Sequence, residues 1–238
     1  MRRNMTPERF YRIRQVLDQR QPDLTVLADG IHKAQNISAI LRTCDAVGIN
    51  ELHWIVPPGE KSGIWKRSAG GSARWVKPRR HPDSASAVAH LQSRGLRLYA
   101  AHLSPGAVDY REVDYTLPCA IVMGAEKEGV SNEVRAACDA EITIPMFGMV
   151  ESFNVSVATA VLLAEVRQQR EQAGLYATGS RLPADEYRRT LFEWCHPKMA
   201  RFCRERRLAY PSLDAEGDIA NPSDWYARVR SQEADTTS

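Results

Sequence analysis

No stretch of this sequence is long and apolar enough to cross a bilayer: the uncharged run Ser152–Ala164 falls short of the roughly 20 residues a membrane helix needs. The opening MRRNMTPERFYRIRQVLDQR carries charges without an apolar centre, so no secretory leader is expected. Cysteine is sparse and unpatterned. The five residues Cys44, Cys119, Cys138, Cys195 and Cys203 form an odd set with no Cys-x-x-Cys spacing, which argues for reduced thiols in the cytoplasm and against a disulfide framework. Cys195 beside His196, with only Cys203 further on, is poor ligand geometry, and no metal is expected. There is no G-x-x-x-x-G-K-[ST] phosphate loop and no dinucleotide fingerprint. No Ser-His-Asp arrangement, ligand cluster or catalytic carboxylate pair emerges either.

What is present is an ordinary globular composition, 238 residues with 43% hydrophobic and 26% charged, enough for one large domain with appendages. The net charge of +3 is unevenly spread. Arg2, Arg3, Arg9, Arg12, Arg14 and Arg20 crowd the first helix region. Lys61, Lys66, Arg67, Arg74, Lys77, Arg79 and Arg80 occur between 61 and 82 without one acid, and 181–207 is again rich in arginine. Acids dominate 108–141 and 214–238. Separated basic regions on a nearly neutral chain suggest a polyanion partner, because neutralising phosphate drives nucleic-acid affinity.

Short apolar runs alternate with helical patterns: LTVLAD (24–29), ELHWIV (51–56), ARWVK (73–77), LRLYAAH (96–102), CAIVMG (119–124) and EITIP (141–145). Between them lie helices with apolar spacing of three and four, such as 83–94. This alternation predicts an α/β domain with a mostly parallel sheet over 21–174. A basic helix precedes it (1–20). A helical extension follows (175–238), with helices near 184–194, 197–207 and 222–231.

Three stretches at strand–helix junctions carry polar residues in unusual places. In NISAILRTCDAVG (36–48), Ile37, Ile40, Leu41, Cys44 and Val47 form the buried face of a helix. Ser38, Arg42 and Asp45 share its polar face, and Asn36 stands where a cap belongs. Arg42 is there either for chemistry or for a surface pair with Asp45. MGAEKEGVS (123–131) is a loop after a buried strand, bracketed by Gly124 and Gly129, which permit close backbone approach or positive φ. It is either an ordinary turn or a ligand loop at a strand's carboxyl end. In IPMFGMVESFNVSVATA (144–160), Met146, Phe147, Met149 and Phe153 suit an apolar ligand or simply the core. Ser152 and Asn154 open the helix that follows. They either cap it or hold a polar ligand at its free N–H groups.

Taken together and in order, the three stretches resemble the three motifs of the SpoU/TrmH-type methyltransferases of the SPOUT class: N-x-S-A-x-x-R-T-x-D-A-x-G, M-G-x-E-x-x-G, and I-P-M-x-G-x-x-x-S-x-N-V-S-V-A. The likeness extends to RFYRIRQVLDQRQPDLTVLADGIHK near the start and to LLAEVRQQREQAG and SDWYARV near the end. It is strongest to the branch that methylates the ribose 2′-hydroxyl of guanosine 18 in the tRNA D-loop. Two departures are small: Ala34–Gln35 stands where relatives often carry a proline, and Phe153 replaces a common leucine.

The resemblance implies an α/β knot, a mostly parallel sheet whose C-terminal segment threads a deep trefoil, with N- and C-terminal helical extensions. It also implies S-adenosylmethionine as cofactor, tRNA as substrate and a homodimer whose interface completes the site. Carried over by position, Arg42, Asn36, Glu126, Ser152 and Asn154 are the expected catalytic set. Ala101, Leu103, Gly124, Ile144, Met146 and Phe153 are expected to frame the cofactor. Arg42 is expected to stabilise charge on the ribose oxygen and Glu126 to orient Asn36 or a loop amide. The dimer is expected to pack through Val155, Ala158, Val161 and Leu162. RNA is expected to be gripped by Arg9, Arg12 and Arg20 before the core and by Arg201, Arg204, Arg206 and Arg207 after it. Methylation of another RNA site, in ribosomal RNA or the anticodon loop, is the alternative activity, and an RNA-binding relative without catalysis is a further one.

Overall fold

Six consecutive buried residues, Leu24–Asp29, form β1, and a run buried on both faces is what a central parallel strand requires. In the computed structural model, which describes residues 5–56 and 74–235, β1 is flanked on both sides. It pairs with β2 (Glu51–Ile55) and with β6 (Cys119–Met123), so Val26 faces Leu52 on one side and Ile121 on the other. The remaining strands are β3 (Lys77–His81), β4 (Arg97–Ala101), β5 (Val108–Asp109) and β7 (Ala140–Thr143). All pairings are parallel, in the order β3-β2-β1-β6-β4-β7-β5.

Residues group into two compact units. One runs from Arg20 to Arg181; the other joins the described residues through Gln19 to those from Leu182 onward. In the sheet unit, α2 (Ala34–Ala46) and α5 (Val155–Gln172) cover one face. Ile37, Ile40, Leu41 and Cys44 of α2 share a core with Leu162, Leu163 and Val166 of α5. On the other face α3 (Ser84–Ser93) and α4 (Asn132–Ala136) contribute Ala87, Val88, Leu91 and Val134. Odd and even positions of β1 divide between the two cores, Val26 to the first and Leu27 to the second, as period-two geometry dictates.

Several expectations are displaced. The strand expected at 73–77 lies at Lys77–His81, because β3 is an edge strand. An edge carries basic residues and Pro78 without needing an apolar run, while Val76, which suggested a strand, is buried just before it. The two-residue β5 and the five-residue α4 are too short to leave a periodic signal. The strand expected to end at Pro145 ends at Thr143. Of the expected basic stretch, Lys61, Lys66 and Arg67 lie outside the described residues.

Arg20 is corrected outright. Expected to meet RNA, it is fully buried, donating to the Ile49 carbonyl at 2.8 Å, the Trp75 carbonyl at 3.2 Å and Asp45 at 2.5 Å. Asp45 therefore takes Arg20, not Arg42. A second buried arginine, Arg170 on α5, donates to the carbonyls of Tyr115 (2.8 Å) and Leu117 (2.9 Å) and to Asp23 (2.8 Å), which Arg181 also reaches at 2.8 Å. Burial alone would raise the Asp23 carboxyl, but hydrogen bonds from Arg181 and Arg170 outweigh it and hold Asp23 below its usual range.

The terminal unit is helical: α1 (Pro7–Asp18), capped by the Thr6 hydroxyl, then α6 (Ala184–Cys195), α7 (Pro197–Glu205) and α8 (Pro222–Asp235). Phe10, Ile13 and Leu17 of α1 are buried, and Cys203, Trp225 and Val229 form a small core with Phe202. The five cysteines are unpaired, and burial pushes Cys119 up to about 11. No helix among the described residues is long and apolar enough to cross a membrane.

Candidate functional site

The loops that leave β4, β6 and β7 at their carboxyl ends enclose one cavity of about 250 Å³. Open α/β sheets bind ligands at that end of their strands. All six expected cofactor positions line this cavity: Ala101 and Leu103 from β4, Gly124 from β6, Ile144 and Met146 after β7, and Phe153 before α5. Ser152 and Glu126 line it as well. Phe147 and Met149, expected to serve the ligand or the core, are not core: they are 99% and 100% exposed and do not line the cavity.

Gly124 explains why the β6 loop is so tight. A Cβ there would sit 2.0 Å from the Gly129 carbonyl carbon, so only glycine allows the close approach. The loop closes through paired hydrogen bonds, Ala125 N–H to Gly129 O at 3.0 Å and Gly129 N–H to Ala125 O at 2.9 Å, with Gly129 at φ +69°. This closure projects Glu126 outward.

Glu126 then joins the three motifs. Its Oε1 accepts Asn36 Nδ2 at 2.9 Å and Asn154 Nδ2 at 2.9 Å, while Lys33 Nζ donates to Oε2. Asn154 Nδ2 also reaches Asn36 Oδ1 at 3.3 Å. Bonds from Lys33 and then Asn36 favour the ionised carboxylate and hold its pKa below the ordinary value. Lys33 was not singled out from sequence; its only signal is a cation three residues before Asn36.

Of the two readings of Asn154, the structure shows the cap, with a side-chain amide left over for a second partner. Its Oδ1 caps α5, accepting Ser156 N–H at 2.9 Å and Ser156 Oγ–H at 2.6 Å, which frees Nδ2 for Glu126. Asn36 is not a cap. α2 starts at Ala34 with Lys33 before it, and Asn36 lies buried in the first turn.

Of the expected catalytic set, Asn36, Asn154 and Arg42 do not line the cavity; the first two reach its edge through Glu126, whereas Arg42 does not. It is exposed, roughly 9 Å along the α2 axis from Asn36 at 1.5 Å per residue, and has no hydrogen bond or ion pair among the described residues. Of the expected RNA contacts, Arg9, Arg12, Arg201 and Arg207 are exposed in the terminal unit. Arg204 is exposed too, but donates to Glu193 and the Tyr210 hydroxyl at 3.2 Å each. Among the described residues no group of three or more His, Cys, Asp or Glu is placed to hold a metal ion.

A parallel sheet whose ligand loops carry these three motifs defines a class, and comparison with known proteins agrees. Residues 23–164 match the SpoU rRNA methylase family and 168–222 its C-terminal region, so the chain belongs to the SpoU methylase family. Within it, the chain is 45% identical over 227 residues to the tRNA (guanosine(18)-2′-O)-methyltransferase of Escherichia coli K12, covering 95% of this chain and 99% of the relative. The crystal structure of the Aquifex aeolicus TrmH/SpoU tRNA modifying enzyme superposes with a TM-score of 0.73 at 40% identity, over 80% of this chain and 96% of that one. The SpoU methyltransferase AviRb from Streptomyces viridochromogenes, solved in complex with AdoMet, does so with a TM-score of 0.58 at 28% identity, over 64% and 62%.

Proposed function

We propose that this protein transfers a methyl group from S-adenosylmethionine to the ribose 2′-hydroxyl of guanosine 18 in the D-loop of tRNA, working as a cytoplasmic homodimer. The observation that carries it is the Glu126 junction: one carboxylate binds Asn36 and Asn154, so three separate motifs meet at the edge of one cavity. Kinship with tRNA guanosine-18 methyltransferases along nearly the whole chain supports the substrate.

The lining suits the cofactor. Ala101, Ile144, Met146, Phe153 and Leu162 offer apolar walls for a flat ring and a carbon chain, and the charged lining, Glu126, Glu128 and Glu151 against Lys127, is net negative and favours positive charge. When bound, the cofactor supplies an electrophilic methyl on a sulfonium. The protein's part is alignment, which supplies roughly 7–11 kcal/mol when oxygen, methyl and sulfur are in line, and relief of charge on the oxygen. A guanidinium does not give up its proton in a protein, so Arg42 acts as an electrostatic stabiliser of the ribose oxygen and not as a base. The hydroxyl proton passes to water as the oxygen–methyl bond forms and the carbon–sulfur bond breaks to leave a neutral thioether. Glu126 and Asn154 are positioning residues for Asn36, and Ser152 shapes the cavity floor.

Because Arg42 stands off its own chain's cavity, the homodimer reading assigns it to a neighbour's site. The open stripe of α5, exposed Val157, Ala160 and Ala164 with half-buried Val161, suits packing against a second copy. This revises the expected interface, since Val155 and Leu162 are buried in their own chain's core. The trefoil knot expected of the class belongs to the same reading, as does the division of 1–20, 21–174 and 175–238 into basic helix, chemistry domain and RNA-gripping extension.

Mapping by mass spectrometry tests the reading. An unmodified tRNA transcript incubated with protein and S-adenosylmethionine should gain one methyl, on the ribose of guanosine 18. A methyl on another nucleotide, on the anticodon loop or only on ribosomal RNA, would replace this substrate, and no methyl at all would leave an RNA-binding protein without catalysis.

A further inference from the structure

The terminal unit holds a cavity of its own, about 620 Å³, between α1, α6 and the segment Tyr210–Ala215. Its size lies within the range of small-ligand sites. Phe10 and Phe192 form its buried base, with the Phe192 ring stacked on that of Tyr210 at 4.7 Å, and the half-buried Tyr187 and Tyr210 are the rings it presents, an aromatic wall. Arg14, Arg188 and Arg189 border it. Arg189 is exposed and makes no ion pair among the described residues, and Arg188 meets Asp185 only at 3.9 Å, both groups wet. The one acid in the lining, Asp214, is held by its own turn, its Oδ1 accepting the N–H groups of Glu216 and Asp218 at 2.9 Å each. A concave aromatic wall under three guanidiniums combines the two things that bind an unstacked nucleotide, a stacking platform and a cationic rim.

We propose that this cavity receives one unstacked nucleotide of the substrate RNA, its base against the aromatic wall and its phosphate at Arg188 and Arg189. This rests on the reading that the terminal unit grips tRNA, and it adds a place for a single nucleotide other than the methylated one. An acidic peptide would meet the same cations but has no use for the aromatic wall.

The test uses the full-length chain and an unmodified tRNA transcript, with affinity measured across a salt series. Ser212→Trp fills the cavity without touching a charge. It should weaken tRNA binding about tenfold, the scale of one lost base–aromatic stack, with the salt slope unchanged. Arg188→Ala with Arg189→Ala should weaken binding and flatten the slope by roughly one to two counterions. Transcripts bearing 4-thiouridine should crosslink to peptides 187–192 or 210–215, which also decides the matter should Ser212→Trp fail to fold. Free guanosine 5′-monophosphate at the same concentration as the tRNA should not compete, since the chain supplies the remaining contacts. Unchanged tRNA affinity in a folded Ser212→Trp protein, without crosslinks in those peptides, would overturn the nucleotide cavity. If the triple variant Arg201→Ala, Arg204→Ala, Arg207→Ala nevertheless weakens binding, the gripping role of the terminal unit survives that loss. If it too binds normally, both fall.

Discussion

At the scale of single residues, Glu126 has the widest reach. Its carboxylate serves three donors on different elements, Lys33, Asn36 and Asn154, and the bonds from Lys33 and Asn36 hold its pKa below the ordinary value. A carboxyl depressed in the folded state stabilises the site above its ordinary pKa, and that contribution is lost as pH falls through the depressed value. The side-chain amide resonances of Asn36 and Asn154 should therefore hold steady from pH 7 to about 5 and move together only in more acid solution. Movement near neutrality would mean that Glu126 does not tie them. Arg42 is the other residue of consequence. Arg42→Ala should leave the fold and cofactor affinity intact and slow single-turnover methyl transfer by about 10²–10³, the usual cost of removing an oxyanion-type donor. Near-normal transfer would remove Arg42 from the chemistry. Residue identity was legible here because each motif fixes polar groups at unusual places. Lys33 was not, since a lone lysine before a helix looks like any surface cation.

Among elements, the central strands were readable because both faces are buried. β1, β2, β4 and β6 show as apolar runs, whereas β3 hides its strand in the charged KPRRH of an edge. Helix α5 was legible in its bounds but not in its facing. Apolar residues run nearly all round its first half, so periodicity could not separate the core side, Val155 and Leu162, from the open side, Val157 and Ala164. The far end of α5 is held by Arg170, whose guanidinium satisfies two carbonyls and Asp23. Removing one partner of a buried pair leaves uncompensated polar groups, at about 3–5 kcal/mol. Arg170→Ala should sit near the low end, because Arg181 still reaches Asp23. Urea unfolding measures this. A loss below about 1 kcal/mol would show that the network is solvated, as exposed pairs are.

For the whole molecule, the proposed dimer rests on the sheet unit and the proposed RNA grip on the terminal unit. Sedimentation at assay concentration should give a dimer, and Val157→Arg, on the open face of α5, should yield monomers that bind cofactor weakly and transfer little; an active monomer would defeat the shared site. The triple variant at Arg201, Arg204 and Arg207 should weaken tRNA binding and flatten its salt dependence, each phosphate contact contributing roughly one counterion, with cofactor affinity unmoved. Arg204 should contribute least, since Glu193 already holds it. Wild-type affinity and slope in that variant would take the carboxyl-terminal flank out of RNA binding. These properties were least legible in the sequence, because charge clusters report that a polyanion is met but not which helix meets it, as the burial of Arg20 shows. The central claim, transfer to one ribose oxygen, is tested most directly by methyl incorporation from labelled S-adenosylmethionine into two tRNAs that differ only at position 18, guanosine in one and 2′-deoxyguanosine in the other. Label should enter the first and not the second. Equal labelling of both would place the methyl on a different atom and contradict the account.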